Sequence, residues 1–103
     1  ELKEFMDRKP CPKCGGKLRP NVVLFGESLP YDAMDNTVQA ISKADLVIVI
    51  GTSLQVYPVN QLPNLCKGKK VYINLDVNTQ HNHFDLIIKR SAGDVLSSVE
   101  ALL

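Results

Sequence analysis

The run Asp45-Leu46-Val47-Ile48-Val49-Ile50-Gly51 constrains this chain more than any other segment. Side chains branched at Cβ are stiff at χ1, which disfavours a helix and suits a pleated surface. A strand with one wet face alternates apolar and polar residues, and this run does not. The pattern therefore predicts a strand buried on both faces, as in a parallel sheet covered by helices.

The flanking segments extend that expectation. Tyr31 to Lys43 reads as a helix, with Met34, Val38 and Ile41 recurring at spacings of four and three. Thr52 to Tyr57 reads as a loop. A short helix is expected from about Asn60 to Cys66, with Pro63 in its first turn. Lys70 to Leu75 and Leu86 to Lys89 read as further strands. Asp94 to Leu103 closes the chain as a helix, with Val95, Val99 and Leu102 on one face and Asp94 near its N-terminus. Alternation of this kind argues for an α/β fold with parallel strands. Three such strands with one open edge look like half of a Rossmann-like, doubly wound parallel sheet.

The first stretch has a different character. Residues 1–20 are polar and basic, carrying Lys3, Arg8, Lys9, Lys13, Lys17 and Arg19. Glu1 to Asp7 reads as the end of a helix, with Leu2, Phe5 and Met6 on one face and Pro10 as its stop. The composition shift divides the chain into residues 1–20 and residues 21–103, the latter alternating apolar runs with turn-rich segments. Val22-Val23-Leu24 reads as a short extended piece, and Gly26 to Pro30 as a loop.

Charge narrows the function classes. Twelve Lys+Arg against eleven Asp+Glu leave a net charge of +1, so bulk electrostatic binding of nucleic acid is not expected. Three cysteines are too few, and odd in number, for a disulfide scaffold. They imply reduced thiols and a cytoplasmic setting. No apolar run approaches the ~18 residues of a membrane span, and no signal peptide opens the chain. The first residue is Glu1 rather than Met, which leads us to expect a preceding segment.

Cys11-Pro12-Lys13-Cys14-Gly15-Gly16 has the form of half a zinc knuckle. Two thiolates on a tight turn can take two corners of a tetrahedron, and glycines let backbone N–H groups approach the sulfurs. A structural zinc needs four ligands. Cys66, His81 and His83 do not have ligand-pair spacing with the knuckle. Three readings stand: a zinc half-site completed by another segment, a redox CxxC, and an incidental pair. Redox motifs of the thioredoxin type open a helix after a strand, and this one does not. Cys66 reads as a small buried apolar residue.

The strand ends carry the second signal. Ligands of open α/β sheets bind outside the carboxyl ends of the strands. Gly51-Thr52-Ser53 follows the strongest strand and offers close backbone approach, hydroxyls and N–H donors to phosphate or ribose oxygens. An ordinary strand-to-helix turn would look the same. Asn74-Leu75-Asp76 ends the next strand and could hold ribose hydroxyls, or could simply cap a turn. Ser91-Ala92-Gly93-Asp94 forms a third segment leading into the last helix. Neither GxGxxG nor a P-loop occurs.

Taken in order, the segments resemble the sirtuin family of NAD-dependent protein deacylases. The words that carry the resemblance begin with the Cys11 to Gly16 knuckle and Arg19-Pro20-Asn21-Val22-Val23-Leu24-Phe25-Gly26-Glu27-Ser28-Leu29-Pro30. Ala44 to Pro58, Ile73-Asn74, His83-Phe84-Asp85 and Ala92-Gly93-Asp94-Val95-Leu96 follow. The family begins with a GAGxS loop, a QNxD word, a catalytic histidine followed by glycine, and a first CxxC, none of which stands in this sequence. His81 and His83 are not that histidine. The chain resembles the C-terminal part of a sirtuin, starting between the two cysteine pairs, whose partner would be the missing N-terminal half.

The resemblance implies roles. Cys11 and Cys14 would supply two of four ligands to a structural Zn2+. Gly51, Thr52, Ser53, Asn74, Leu75, Asp76 and Ala92 would contact NAD. In the family, an acylated lysine enters a tunnel between the zinc module and the Rossmann domain, and its peptide pairs as a strand. The Val23 carbonyl would accept the acyl-lysine amide N–H, Leu24 would line the acyl tunnel, and Phe25, Gly26 and Glu27 would pair with the peptide. Read without the family, Val22 to Phe25 is a plain core strand. The family reaction breaks the nicotinamide–ribose bond, and a histidine acts as general base on a ribose hydroxyl. That histidine would lie upstream, so this chain alone is expected to be inactive. Two other readings stand beside the deacylase: a zinc-knuckle module that binds a peptide or protein without chemistry, and a sirtuin-like ADP-ribosyltransferase or NAD glycohydrolase.

Overall fold

The computed structural model describes residues 2–77 and 83–103. His81 lies outside the described residues. The chain divides into two compact units, Glu1–Pro30 and Tyr31–Leu103. The boundary expected after residue 20 lies inside the first of these.

In the first unit, helix α1 (Leu2–Met6) is a single short turn-and-a-half that ends as expected before Pro10. The knuckle follows, closed by Gly15 N–H donating to the Cys11 carbonyl and Cys11 N–H donating to the Gly16 carbonyl, both at 2.8 Å. Val22 to Phe25 is not a core strand. These residues form an exposed loop, with Phe25 94% exposed, because their backbone groups turn on themselves: Glu27 N–H donates to the Leu24 carbonyl at 3.0 Å.

The second unit is built on a three-stranded parallel sheet in the order β1-β2-β3, with β1 at Leu46–Ile50, β2 at Lys69–Ile73 and β3 at Leu86–Ile88. Helix α2 (Tyr31–Lys43) occupies the expected span and turns Met34, Val38 and Ile41 to its half-buried side. Asp32 in its first turn and Lys43 in its last complement the helix dipole. Helix α3 (Ala92–Leu102) begins earlier than Asp94 because Ser91 caps it, accepting the Asp94 N–H on its hydroxyl. Buried Val95 anchors that helix.

Two further expectations need correction. The segment after the first loop is a 3₁₀ helix, Val59–Leu65, with Pro63 buried in its interior rather than in the first turn of an α-helix. Short 3₁₀ segments use i→i+3 bonds, and here the Pro63 carbonyl accepts the Cys66 N–H at 3.2 Å. The second correction concerns β1, which alternates between exposed and half-buried residues. Leu46, Ile48 and Ile50 are 52%, 48% and 43% exposed, because among the described residues no element packs closely over that face. Strand β1 is also an edge of the described sheet.

The core gathers around β2. Tyr72, Ile73, Phe84, Val95 and Cys66 are buried, and the Tyr72 and Phe84 rings lie 5.1 Å apart. Cys66 is the small buried residue expected, its thiol 3.6 Å from the Ala44 carbonyl. Asp85 ties β3 to β2 by accepting the Lys70 N–H at 2.8 Å, while its own N–H donates to the Lys70 carbonyl at 2.9 Å.

Candidate functional site

The parallel register brings the three strands to a common finish: Ile50 lies opposite Ile73, and Ile73 opposite Ile88. The ladder continues one residue further. Gly51 N–H donates to the Ile73 carbonyl at 3.0 Å, and Asn74 N–H to the Ile88 carbonyl at 3.2 Å. Gly51-Thr52-Ser53, Asn74-Leu75-Asp76 and the Ser91-Ala92 entry to α3 therefore leave the same carboxyl edge side by side. With strands about 4.8 Å apart, these loops line a strip roughly 10 Å wide. All seven residues expected to hold a nucleotide fall on this edge.

Local geometry shapes each loop. Gly51 has φ +71°, a left-handed conformation that a Cβ would disfavour, and it turns the chain sharply off β1. Leu54 is also left-handed, at φ 55°, and its N–H donates to the Thr52 hydroxyl at 3.1 Å. A non-glycine residue in this region is held by its surroundings, and such residues gather at functional loops. Asn74 donates through its amide to the Asp76 carbonyl at 2.7 Å and to the Tyr72 hydroxyl at 3.3 Å. Leu75 and Asp76 are exposed.

Tyr72 did not stand out in the sequence. Its hydroxyl donates to the Thr52 carbonyl at 2.5 Å from a fully buried position. The available signal was a phenol in an otherwise aliphatic strand end, since a buried hydroxyl must find a partner.

The first unit carries the other candidate residues. Among the described residues no cluster of three or more His, Cys, Asp or Glu could hold a metal ion. Cys11 and Cys14 stand on one closed turn, neither in a disulfide, and Cys14 is exposed. A Cβ added at Gly16 would meet the Cys14 sulfur at 3.4 Å, so the small residue leaves that sulfur room for a ligand bond. This donor pair fits half of a tetrahedral thiolate site. Nearby, Arg19 Nη2 donates to both carboxylate oxygens of Glu27 at 2.8 and 3.0 Å and reaches the Val22 carbonyl at 3.5 Å. Glu27 also accepts the Leu24 N–H at 3.4 Å. This clamp closes the loop holding Val23, Leu24, Phe25 and Gly26 and leaves these residues exposed. Sequence reading missed Arg19, although it stands in the quoted Arg19 to Pro30 word.

The Sir2 family profile matches residues 1–58. The chain is 48% identical over 90 residues to NAD-dependent protein deacetylase 1 of Pyrobaculum aerophilum, covering 84% of this chain and 35% of that protein. It is 47% identical over 90 residues to an NAD-dependent protein deacetylase of Clostridium acetobutylicum, covering 86% of this chain and 37% of that protein. Among solved structures, Sir2 bound to acetylated peptide aligns with a TM-score of 0.83 and 33% identity, over 98% of this chain and 44% of that one. Sir2 with p53 peptide and NAD+ aligns with a TM-score of 0.82 at the same identity. The chain thus spans well under half the length of these relatives. No helix among the described residues is long and apolar enough to cross a membrane.

Proposed function

The chain belongs to the Sir2 family, and from that premise we propose that it forms the C-terminal part of an NAD-dependent protein-lysine deacylase. The observation that carries the proposal is the level finish of the three parallel strands, which aligns the predicted nucleotide loops on one edge. NAD, when bound, would supply an activated ribose carbon as acceptor for the acyl oxygen, with nicotinamide as the leaving group.

The residues divide the work of binding. The left-handed turn at Gly51 brings the backbone close to the cofactor, and Thr52 and Ser53 offer N–H and hydroxyl donors to its phosphate or ribose oxygens. The Asn74 amide nitrogen is engaged within the loop, so its carbonyl oxygen is the group left for a ribose hydroxyl. The exposed Asp76 carboxylate accepts hydroxyls in the same way. Leu75 presents apolar surface, and Ala92 lies where the first N–H groups of α3 lack intrahelical partners.

For the acylated peptide, the Val23 carbonyl accepts the acyl-lysine N–H, Leu24 lines the acyl path, and Phe25, Gly26 and Glu27 pair with peptide backbone. The Glu27 N–H is already donated to Leu24, so its carbonyl is the group offered to the peptide. Cys11 and Cys14 would hold a structural zinc together with two thiolates from the upstream part of the protein. The general-base histidine also comes from upstream, so this chain alone does not turn over.

The test uses the complete protein with an acylated peptide and NAD. Free lysine peptide, nicotinamide and O-acyl-ADP-ribose in equal amounts are expected by mass spectrometry. Transfer of ADP-ribose to protein with the acyl group retained would move the assignment to an ADP-ribosyltransferase. Peptide binding without NAD consumption would move it to a binding module.

A further inference from the structure

Tyr72, next to last in β2, is 0% exposed, yet among the described residues its hydroxyl is hydrogen-bonded on both sides toward the candidate nucleotide edge. It donates to the Thr52 carbonyl in the loop after β1 and accepts from the Asn74 amide in the loop after β2. The second Asn74 donor goes on to the Asp76 carbonyl. The result is a relay, Thr52 C=O to Tyr72 OH to Asn74 to Asp76 C=O, that ties two separate loops through one buried oxygen. The Phe84 ring, 5.1 Å away and itself buried, supports the Tyr72 ring within the core.

Strand pairing alone fixes these loops only as far as Gly51 and Asn74, where the ladder bonds end. Beyond that point each loop is free to drift relative to the other unless something spans them. A buried phenol does so with little entropic loss, because its ring is already immobilised by packing. The phenol is fully buried and the Thr52 carbonyl it bonds is half-buried, so removing the hydroxyl leaves a partly desolvated acceptor without that partner.

We infer that Tyr72 is a positioning residue for the nucleotide site: its hydroxyl sets the spacing between the Thr52-Ser53 and Asn74-Asp76 loops that the cofactor spans. The inference rests on the proposal that these loops bind NAD. Tyr72 itself touches neither cofactor nor peptide and acts through Thr52 and Asn74.

The experiment compares Tyr72→Phe and Ser53→Ala with the wild-type complete protein, measuring KM for NAD, KM for acylated peptide, kcat, and NAD affinity by calorimetry. Tyr72→Phe removes one oxygen and keeps the ring. NAD KM and dissociation constant are expected to rise about fivefold to tenfold, with peptide KM and kcat within about twofold of wild type. A tyrosine that only stabilised the core would lower the melting temperature and leave the ratio of the two KM values unchanged, which would overturn the inference. Loss of folding in Tyr72→Phe would overturn it as well, since the hydroxyl would then serve the core rather than the site. If Ser53→Ala weakens NAD binding and Tyr72→Phe does not, the nucleotide site stands and the role of Tyr72 falls. If neither variant affects NAD, both fall together.

Discussion

Replacing Gly68 by alanine should destabilise this protein more than any other glycine-to-alanine change in the second unit. Gly68 precedes β2 where the chain passes directly over the backbone of Asp45. An added Cβ would lie 2.5 Å from the Asp45 carbonyl carbon and 2.8 Å from its Cα, with the carbonyl oxygen closer still. Backbone atoms cannot swing aside as a side-chain tip can. The Asp45 carbonyl is also where the β1–β2 ladder starts, accepting the Lys69 N–H at 2.8 Å. Relieving the clash therefore stretches that bond. Overpacking of this kind costs about 1–3 kcal/mol, and the weakened bond adds about 1 kcal/mol. Lower backbone entropy of the unfolded alanine chain returns about 0.4–1 kcal/mol, so the net loss is roughly 1–3.5 kcal/mol. Gly93→Ala is the control: its Cβ would meet only the Ser91 hydroxyl at 3.7 Å, in the first turn of α3, where alanine is the better helix former. Urea unfolding of the complete protein should show a lower midpoint for Gly68→Ala and an equal or higher one for Gly93→Ala. A Gly68→Ala protein within about 0.5 kcal/mol of wild type would refute the close β1–β2 approach.

Three further outcomes test the first unit in the complete protein. Cys11→Ser or Cys14→Ser should each lose bound zinc, measured by plasma emission, and lower the melting temperature; retained zinc would exclude the half-site. The Arg19–Glu27 pair, with side chains 60% and 36% exposed, is screened by solvent, so a double-mutant cycle through Arg19→Ala and Glu27→Ala should give a coupling of less than about 1 kcal/mol. That coupling should appear in peptide KM, shrink with added salt, and leave NAD KM alone. Leu24→Phe should reduce activity on long-chain acyl peptides relative to acetyl peptide, since a flexible aliphatic side chain leaves more room than a ring; a clear acetyl preference in the wild type would refute that role for Leu24.

Much of the fold was legible because local physics dictated it. Helix α2 has the span that the spacing of Met34, Val38 and Ile41 required, and the aliphatic run from Leu46 could form little but a strand. Cys66 is buried as its size and polarity suggest. The start of α3 is not legible in the sequence, because Ser91 reads as a loop residue until its hydroxyl is seen to accept the Asp94 N–H.

The sequence by itself determined the parallel α/β character, the family, and which loops follow which strands, because periodicity, branching at Cβ and motif order are properties of neighbouring residues. Only the tertiary structure decided what depends on residues far apart in the chain. It levelled Ile50, Ile73 and Ile88 so that three loops share an edge. It turned Val22 to Phe25 out as an exposed loop under the Arg19–Glu27 clamp rather than into a core. It set β1 at the edge of the described sheet, where its residues alternate between exposed and half-buried. And it carried the Tyr72 hydroxyl, twenty residues along the chain from Thr52, to the Thr52 carbonyl, where it bridges the loops after β1 and β2.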